Sequence, residues 1–514
     1  MFSKVKSCAV HGVDGRMIDV EADVNDGLPV FTMVGYLSSS VRESSERVRT
    51  ALKNSGFHLP PKRITINLSP ADMRKDGSGY DLAIATAVLL SLGVTAELPM
   101  EQTLVLGELS LDGSIKAIPG VLPMIICARE EGMTSCIVPK ENVQEAALVQ
   151  GISVIGVSSL KETMEYIQGI KEYENTNVEQ PAVDTSEYLY DIDFSDVVGQ
   201  ESIKRGMEIA AAGFHNVLLT GAAGAGKSML TKRLPTILPQ MSFEESLEVT
   251  KIYSVGGMLP PEGGLIHRRP FRAPHHTISE YALIGGGRVP TPGEVSFAHY
   301  GVLFLDELPE FSKPVLEVLR QPLEDRRIRI SRVQASYEFP ADFMFVAAMN
   351  PCPCGNYPDY RRCSCTEQQI RRYQSKVSGP LLDRIDIRME VKGVKQEVLF
   401  SKQKTESSKT IRARVEQARQ MQKERFAGTG LLFNSQLDGK NLEEYITLSE
   451  KGKRLVLQLF EEQELSVRGV HRVLKLARTI ADLAGSEEIE NAHLQEAAFY
   501  RNQDVFAKGV LYGN

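Results

Sequence analysis

Gly221-Ala222-Ala223-Gly224-Ala225-Gly226-Lys227-Ser228 follows the apolar run 216–220 and precedes a helical stretch, and this order decides how the centre of the chain folds. Gly-x-x-x-x-Gly-Lys-Ser between a strand and a helix is the pattern of a phosphate-cradling loop. Its glycines let backbone N–H groups turn inward onto phosphate oxygens, and the following helix points its positive end at the same anion. Lys227 is placed to reach the outer phosphates of a nucleoside triphosphate, and Ser228 to hold Mg²⁺.

A second stretch supplies the other half of such a pocket. Gly301-Val302-Leu303-Phe304-Leu305-Asp306-Glu307 is an apolar run ending in two carboxylates. It reads as a buried strand, and ligands of open α/β sheets bind at the carboxyl ends of their strands. Asp306 is placed there to bind Mg²⁺, directly or through water, and Glu307 to orient and deprotonate an attacking water. Adjacent acids at a strand end also serve as helix N-caps; the phosphate loop favours the chemical reading. A third run, 343–349, ends in Asn350, which can hold the same water near the terminal phosphate. Asparagine after a strand is otherwise a turn residue.

Around this centre the chain divides. The buried-type strands 216–220, 302–306 and 343–348 are separated by long crossovers, as a parallel sheet requires, so 194–391 is expected to form one α/β core. Through about residue 170, β-type runs at 64–68, 103–106, 135–138 and 153–157 alternate with helical ones and predict a mixed α/β domain, 1–170. The polar, acidic, proline-containing stretch 171–193 reads as a linker. After Lys392 helical periodicity takes over in 411–426, 442–462 and 467–483, giving a small all-α domain, 392–514.

The totals agree with such a chain. Its 514 residues exceed one ordinary core, and 42% hydrophobic with 24% charged residues is a globular rather than a disordered composition. The longest apolar stretch, 82–94, falls short of the roughly 18 to 20 residues that span a bilayer, so no membrane partner is expected. No apolar signal core follows Met1, which makes a cytoplasmic address the expectation. A formal charge of -7 argues against coating DNA by bulk positive potential, yet leaves room for a local basic lining.

The phosphate loop, the acidic strand end and Asn350, with Phe194-Ser-Asp-Val-Val-Gly-Gln200 upstream, resemble the AAA+ ATPases. More closely, Phe271-Arg-Ala-Pro-His-His276, Gly285-Gly-Gly287, Pro292-Gly-Glu294, Met349-Asn-Pro-Cys-Pro-Cys-Gly355 and Ser378-Gly-Pro-Leu-Leu-Asp-Arg384-Ile-Asp386 are similar to the magnesium-chelatase-like ComM/YifB family. The resemblance runs over essentially the whole chain. It implies a parallel-sheet AAA+ core with a helical lid, binding ATP and Mg²⁺ at the subunit interfaces of a homo-hexamer. In that ring Arg384 would be the finger that reaches a neighbour's γ phosphate, and Arg468 the sensor arginine of the lid, with Arg472 one turn away as the competing assignment. A guanidinium suits both tasks because charge spreads over the γ oxygens in the transition state; the plain alternative is a surface salt bridge.

Residues 1–170 resemble the proteolytic domain of Lon-type proteases, an S5 domain 2-like fold, through Lys75-Asp-Gly77, Asp81-Leu-Ala-Ile-Ala85, Gly107-Glu-Leu-Ser-Leu-Asp-Gly113 and Val138-Pro-Lys-Glu-Asn142. That chemistry needs a serine nucleophile and a lysine base. The alignment puts Gly79 at the first position, with Ser78 one residue off, and Met124 at the second, so a catalytically inactive domain is expected.

Of seven cysteines, Cys8, Cys127 and Cys136 lie in apolar surroundings and read as small buried hydrophobes. Cys352, Cys354, Cys363 and Cys365 are bunched, and in a reducing compartment four such thiols fit a closed structural Zn²⁺ site better than disulfides. The C-x-C spacing is tighter than usual for zinc, and reduced or redox-sensing thiols are the alternative. Arg326-Arg-Ile-Arg329-Ile-Ser-Arg332, before the third strand, falls where the resemblance implies a pore hairpin whose arginines would contact DNA phosphates. The expected activity is a DNA translocase or branch-migration helicase serving natural transformation or recombination. The alternative is a chelatase-like remodelling chaperone for metal insertion, acting on a protein partner.

Overall fold

A computed structural model describes residues 1–171, 190–260, 264–332, 335–393, 405–462 and 465–501. The linker expectation falls largely outside these residues. The N-terminal domain is built on a seven-stranded mixed sheet, in the order Phe31–Val34, Arg63–Ser69, Asp14–Asn25, Phe2–His11, Thr103–Val105, Ser135–Pro139 and Ser153–Val157. Its longest ladder is the opening hairpin, in which Val5 faces Val20 and Ser7 faces Ile18. Helix Ser39–Asn54 starts where the Ser38 hydroxyl accepts from the Val41 amide, and buries Val41, Val48, Ala51 and Leu52. Helix Asp81–Ser91 is apolar all round because it lies inside the domain, with Leu82, Ile84 and Val88 fully buried. Its one charged residue, Asp81, is held by the Arg47 guanidinium at 2.9 and 3.1 Å.

The two positions that the resemblance aligns with the protease nucleophile and base, Gly79 and Met124, pack against apolar side chains. A Cβ on Gly79 would stand 3.1 Å from Ile118 Cδ1, and Met124 is buried among Leu122, Ile125 and Val121. The Ser78 hydroxyl donates to the Glu108 carboxylate. Cys8 and Cys136 are buried as expected, Cys127 only half so.

The second domain carries a five-stranded, all-parallel sheet in the order Phe271–Arg272, Val302–Leu305, Met344–Met349, Val217–Thr220 and Ile387–Glu390. The strand that feeds the phosphate loop is thus interior. Its residues are buried on both faces, which is why 216–220 reads as a continuous apolar run. The register sets Thr220 beside Met349 and Glu390, so the loop at 221, the acids at 306 and 307 and Asn350 leave the sheet at one edge. The opposite edge collects Asn216, Phe343 and Asp386, each just before its strand.

Helices Ser408–Arg425, Val467–Leu483 and Asn491–Arg501 form the last domain and share one apolar core with helix Glu201–Gly213 and one face of the sheet. The Phe214 and Phe433 rings stack at 4.4 Å across that seam. The single helix expected at 442–462 is two, Gly439–Tyr445 and Glu450–Glu462. Ile446 is extended, Leu448 bridges to Ile489, and the Ser449 hydroxyl accepts from the Gly452 amide to begin the second helix. Tertiary pairing of Leu448 overrides the continuous periodicity there. No helix among the described residues is long and apolar enough to cross a membrane.

Candidate nucleotide site

The phosphate loop turns on Gly224 and Gly226, whose positive φ of 77° and 94° a side chain would strain. Helix Lys227–Arg233 starts from it, so its free N–H groups open towards the loop. The buried Lys227 ammonium donates to the Gly221 carbonyl at 2.6 Å, the Ala222 carbonyl at 3.0 Å and Asn350 Oδ1 at 3.0 Å. Burial pulls its pKa down, and the facing carboxylates Asp306 and Glu307 oppose that pull. An ammonium so placed gains from a phosphate anion, which restores the charge balance that burial disturbs.

Ser228 Oγ donates to Asp306 Oδ2 at 2.5 Å, bringing together the two residues expected to serve Mg²⁺. Hydroxyl and carboxylate oxygens are the hard ligands Mg²⁺ takes alongside triphosphate oxygens, so this pair fits the ion. Asp306 Oδ1 also accepts from the Glu307 amide at 3.0 Å. Glu307 sits in the left-handed region, φ 53°, an uncommon place for a carboxylate residue, and its side chain is exposed at the sheet edge. His276 Nδ1 stands 3.9 Å from Glu307 Oε2. The sequence showed His276 only as part of a family motif. The motif's other members hold it: Arg272 makes a two-pronged pair with Glu294, both contacts 2.6 Å, fixing the segment that carries the histidine.

Arg384 and Arg468 lie elsewhere. Both line a cleft of about 280 Å³ with Asn216, Asp386, Arg472 and Lys475, at the sheet edge opposite the phosphate loop. At about 3.3 Å per residue, the sheet's thickness along its strands separates them from their own loop by roughly 13 Å or more. Arg384 donates to the Pro380 carbonyl at 2.7 Å and to the Glu324 carboxylate, while its Nε is buried with no partner among the described residues. Arg472 is spent on buried Asp386, at 2.6 Å. Arg468 is exposed and makes no hydrogen bond or ion pair to the described residues. It stands in the first turn of helix Val467–Leu483, where the helix dipole disfavours a cation. An uncompensated arginine there suits an anion brought from outside the chain.

Arg327–Ser331 and Ser336–Pro340 pair as the expected hairpin. Its arginines are engaged: Arg327 and Arg329 both meet Glu338, at 2.9 and 3.1 Å, and Arg332 donates to the Gly287 carbonyl. Tyr337 stacks on His11 of the N-terminal domain at 4.5 Å. Helix Phe243–Val255 makes a second tie, its Ser254 carbonyl accepting from the Gly120 amide at 3.0 Å.

Residues 193–399 match the family model described as magnesium chelatase, subunit ChlI, 405–501 match its C-terminal model, and 20–142 match that of subunit ChlI of Mg-chelatase. With the parallel sheet and phosphate loop, these matches define an AAA+ ATPase of the magnesium-chelatase type. The chain belongs to the ComM/YifB family within that class. It is 41% identical to competence protein ComM of Haemophilus influenzae over 503 residues, 97% of each chain. It is 40% identical to the uncharacterised YifB of Escherichia coli over 506 residues, 98% of this chain and 97% of that one. Lon protease 2 of Bacillus subtilis is 30% identical over 183 residues, 32% of either chain, in keeping with the N-terminal resemblance.

Proposed function

We propose that the chain is an ATP-driven DNA motor: a homo-hexameric translocase or branch-migration helicase that remodels DNA during natural transformation or recombination. One observation carries the motor reading. The groups for binding ATP and Mg²⁺ lie at one sheet edge, and Arg384, paired within the chain to Glu324, and the unpaired Arg468 lie at the other. A complete site therefore needs the second edge from a neighbouring copy. Glu307 takes the proton of the attacking water, Asn350 holds that water, Lys227 holds the phosphate it attacks, and the neighbour's arginines meet the charge that spreads over the γ oxygens. Repeating that contact around a closed ring gives a head-to-tail assembly. Six subunits and a cytoplasmic location are what the family implies.

DNA as substrate is supported by the near full-length likeness to a protein named for competence. A second reading, a chelatase-like remodeller acting on a protein partner, draws on the pairing of Arg327 and Arg329 with Glu338, which leaves the hairpin less basic than its sequence. Stimulation of turnover separates the two. ATP hydrolysis measured with and without forked and four-way DNA should rise with DNA, and the rise should vanish in Lys227→Ala and Arg384→Ala. Turnover that ignores every DNA structure would refute the DNA reading and favour the partner protein.

A further inference from the structure

The thiols of Cys352, Cys354, Cys363 and Cys365 converge to within 4.8 Å of one another. Cys352 Sγ lies 3.4 Å from Cys354 Sγ and 3.8 Å from Cys363 Sγ, and Cys354 lies 3.6 Å from Cys363. Four sulfurs at about 2.3 Å around one tetrahedral Zn²⁺ stand about 3.75 Å apart, close to the separations among Cys352, Cys354 and Cys363, with Cys365 within 4.8 Å of each. A disulfide would need about 2.05 Å. The Tyr357 amide donates to Cys352 Sγ at 3.4 Å, a contact that stabilises thiolate charge.

The loop has little else to hold it. From Asn356 to Cys365 no residue is buried, and Tyr360 is 76% exposed. A segment without its own apolar core needs a staple to keep one shape. Yet its first end enters the nucleotide site, and its second end is tied back to the first. Cys352 follows Asn350, which binds Lys227. Gly355, with φ 80°, lies beside the phosphate loop, where a Cβ would be in van der Waals contact with the Ala223 amide nitrogen at 3.4 Å. Beyond Cys365, Thr366 caps helix Glu367–Gln374 with a reciprocal pair to Gln369, and Gln374 at the helix end donates to the Pro351 carbonyl at 2.9 Å. The loop is thus closed on itself, with Asn350 and Ala223 against its inner side.

We propose that the four cysteines hold one structural Zn²⁺ and that this metal braces Asn350 and the phosphate loop, so that metal loss weakens nucleotide binding. The brace rests on the nucleotide reading of the site; the metal does not. The site is closed, with four protein ligands and none left for substrate, so the zinc has no part in the chemical step.

The test uses the full chain purified under reducing conditions. Metal analysis should find one zinc per chain, lost in Cys363→Ser/Cys365→Ser, and unchanged in Lys227→Ala. In the parent chain these four thiols should resist alkylation until a strong chelator is added. Stripping zinc should weaken binding of a fluorescent ATP analogue by about tenfold or more, since small misplacements of site groups carry costs of that order. Zinc restored to the stripped parent should restore the affinity, a reading that does not depend on the variant folding. Substoichiometric zinc in a chain that binds nucleotide would overturn the proposal, as would zinc loss with unaltered affinity. A zinc-loaded chain that never binds nucleotide would overturn the brace through the nucleotide reading, and uphold the metal site.

Discussion

Arg472 Nη1 lies 2.6 Å from Asp386 Oδ1, an ion pair of a half-buried guanidinium with a buried carboxylate that ties the last helical domain to the start of strand Ile387–Glu390. His215 Nδ1, at 3.4 Å, and the Asn216 amide, at 3.2 Å, meet the other carboxylate oxygen. The pair therefore fixes the lid to the sheet edge that carries Arg384, and leaves Arg468 one turn away as the unspent arginine.

That pair makes a stability prediction with a defined sign. Burial alone would push the Asp386 carboxyl up, but Arg472 and His215 outweigh it and hold the group well below the usual carboxylate range. A depressed carboxylate contributes stability that is complete above its unfolded pKa, about 3.9, and is lost as pH falls below that value. Asp386→Asn should cost about 1–3 kcal/mol at pH 7, because it takes the carboxylate from a half-buried guanidinium. Urea denaturation should show the gap between parent and variant constant from pH 5 to 7 and narrowing below about pH 4.

Glu307 and Lys227 should separate chemistry from binding. Glu307→Gln removes the base but no phosphate contact, so turnover should drop by about 10² to 10⁴ with nucleotide affinity retained. Lys227→Ala should lose both. Single-turnover hydrolysis alongside fluorescent nucleotide titration distinguishes them; an active Glu307→Gln would remove Glu307 from the mechanism.

His276, 3.9 Å from Glu307, should act only through it. His276→Ala should slow turnover by about tenfold without changing nucleotide affinity, and adding it to Glu307→Gln should cost nothing further, as expected of residues that work as a unit. Additive losses in that cycle would assign His276 an independent role.

The phosphate loop and the acidic strand end were legible because each is a local pattern: a strand, a turn rich in glycine, a helix. Helix Val467–Leu483 was legible because its apolar face repeats without interruption. What the sequence hid was pairing across distance. The break at Leu448 depends on Ile489, and the engagement of Arg327 and Arg329 depends on Glu338 across the hairpin. The opening hairpin, Phe2–His11 with Asp14–Asn25, is absent from the expected strands although Ile18, Val20, Ala22 and Val24 alternate with Asp19, Glu21 and Asp23; in its first strand the buried Ser7, which donates to the Val105 carbonyl at 3.0 Å, breaks that alternation. His276 was visible as a residue but not as a neighbour of Glu307, since no spacing rule joins positions that meet through two separate strands.

The central claim is that each ATP site is finished by an adjacent copy of the chain, and mixing two inactive variants tests it most directly. Lys227→Ala lacks the phosphate lysine but keeps Arg384; Arg384→Ala has the reverse defect. In a mixed ring some interfaces pair an intact loop from one with an intact arginine from the other. ATP turnover of the equimolar mixture should rise well above that of either variant alone, to a sizeable fraction of the parent rate. A mixture no more active than its components, with mixed assemblies shown to form, would contradict a shared site.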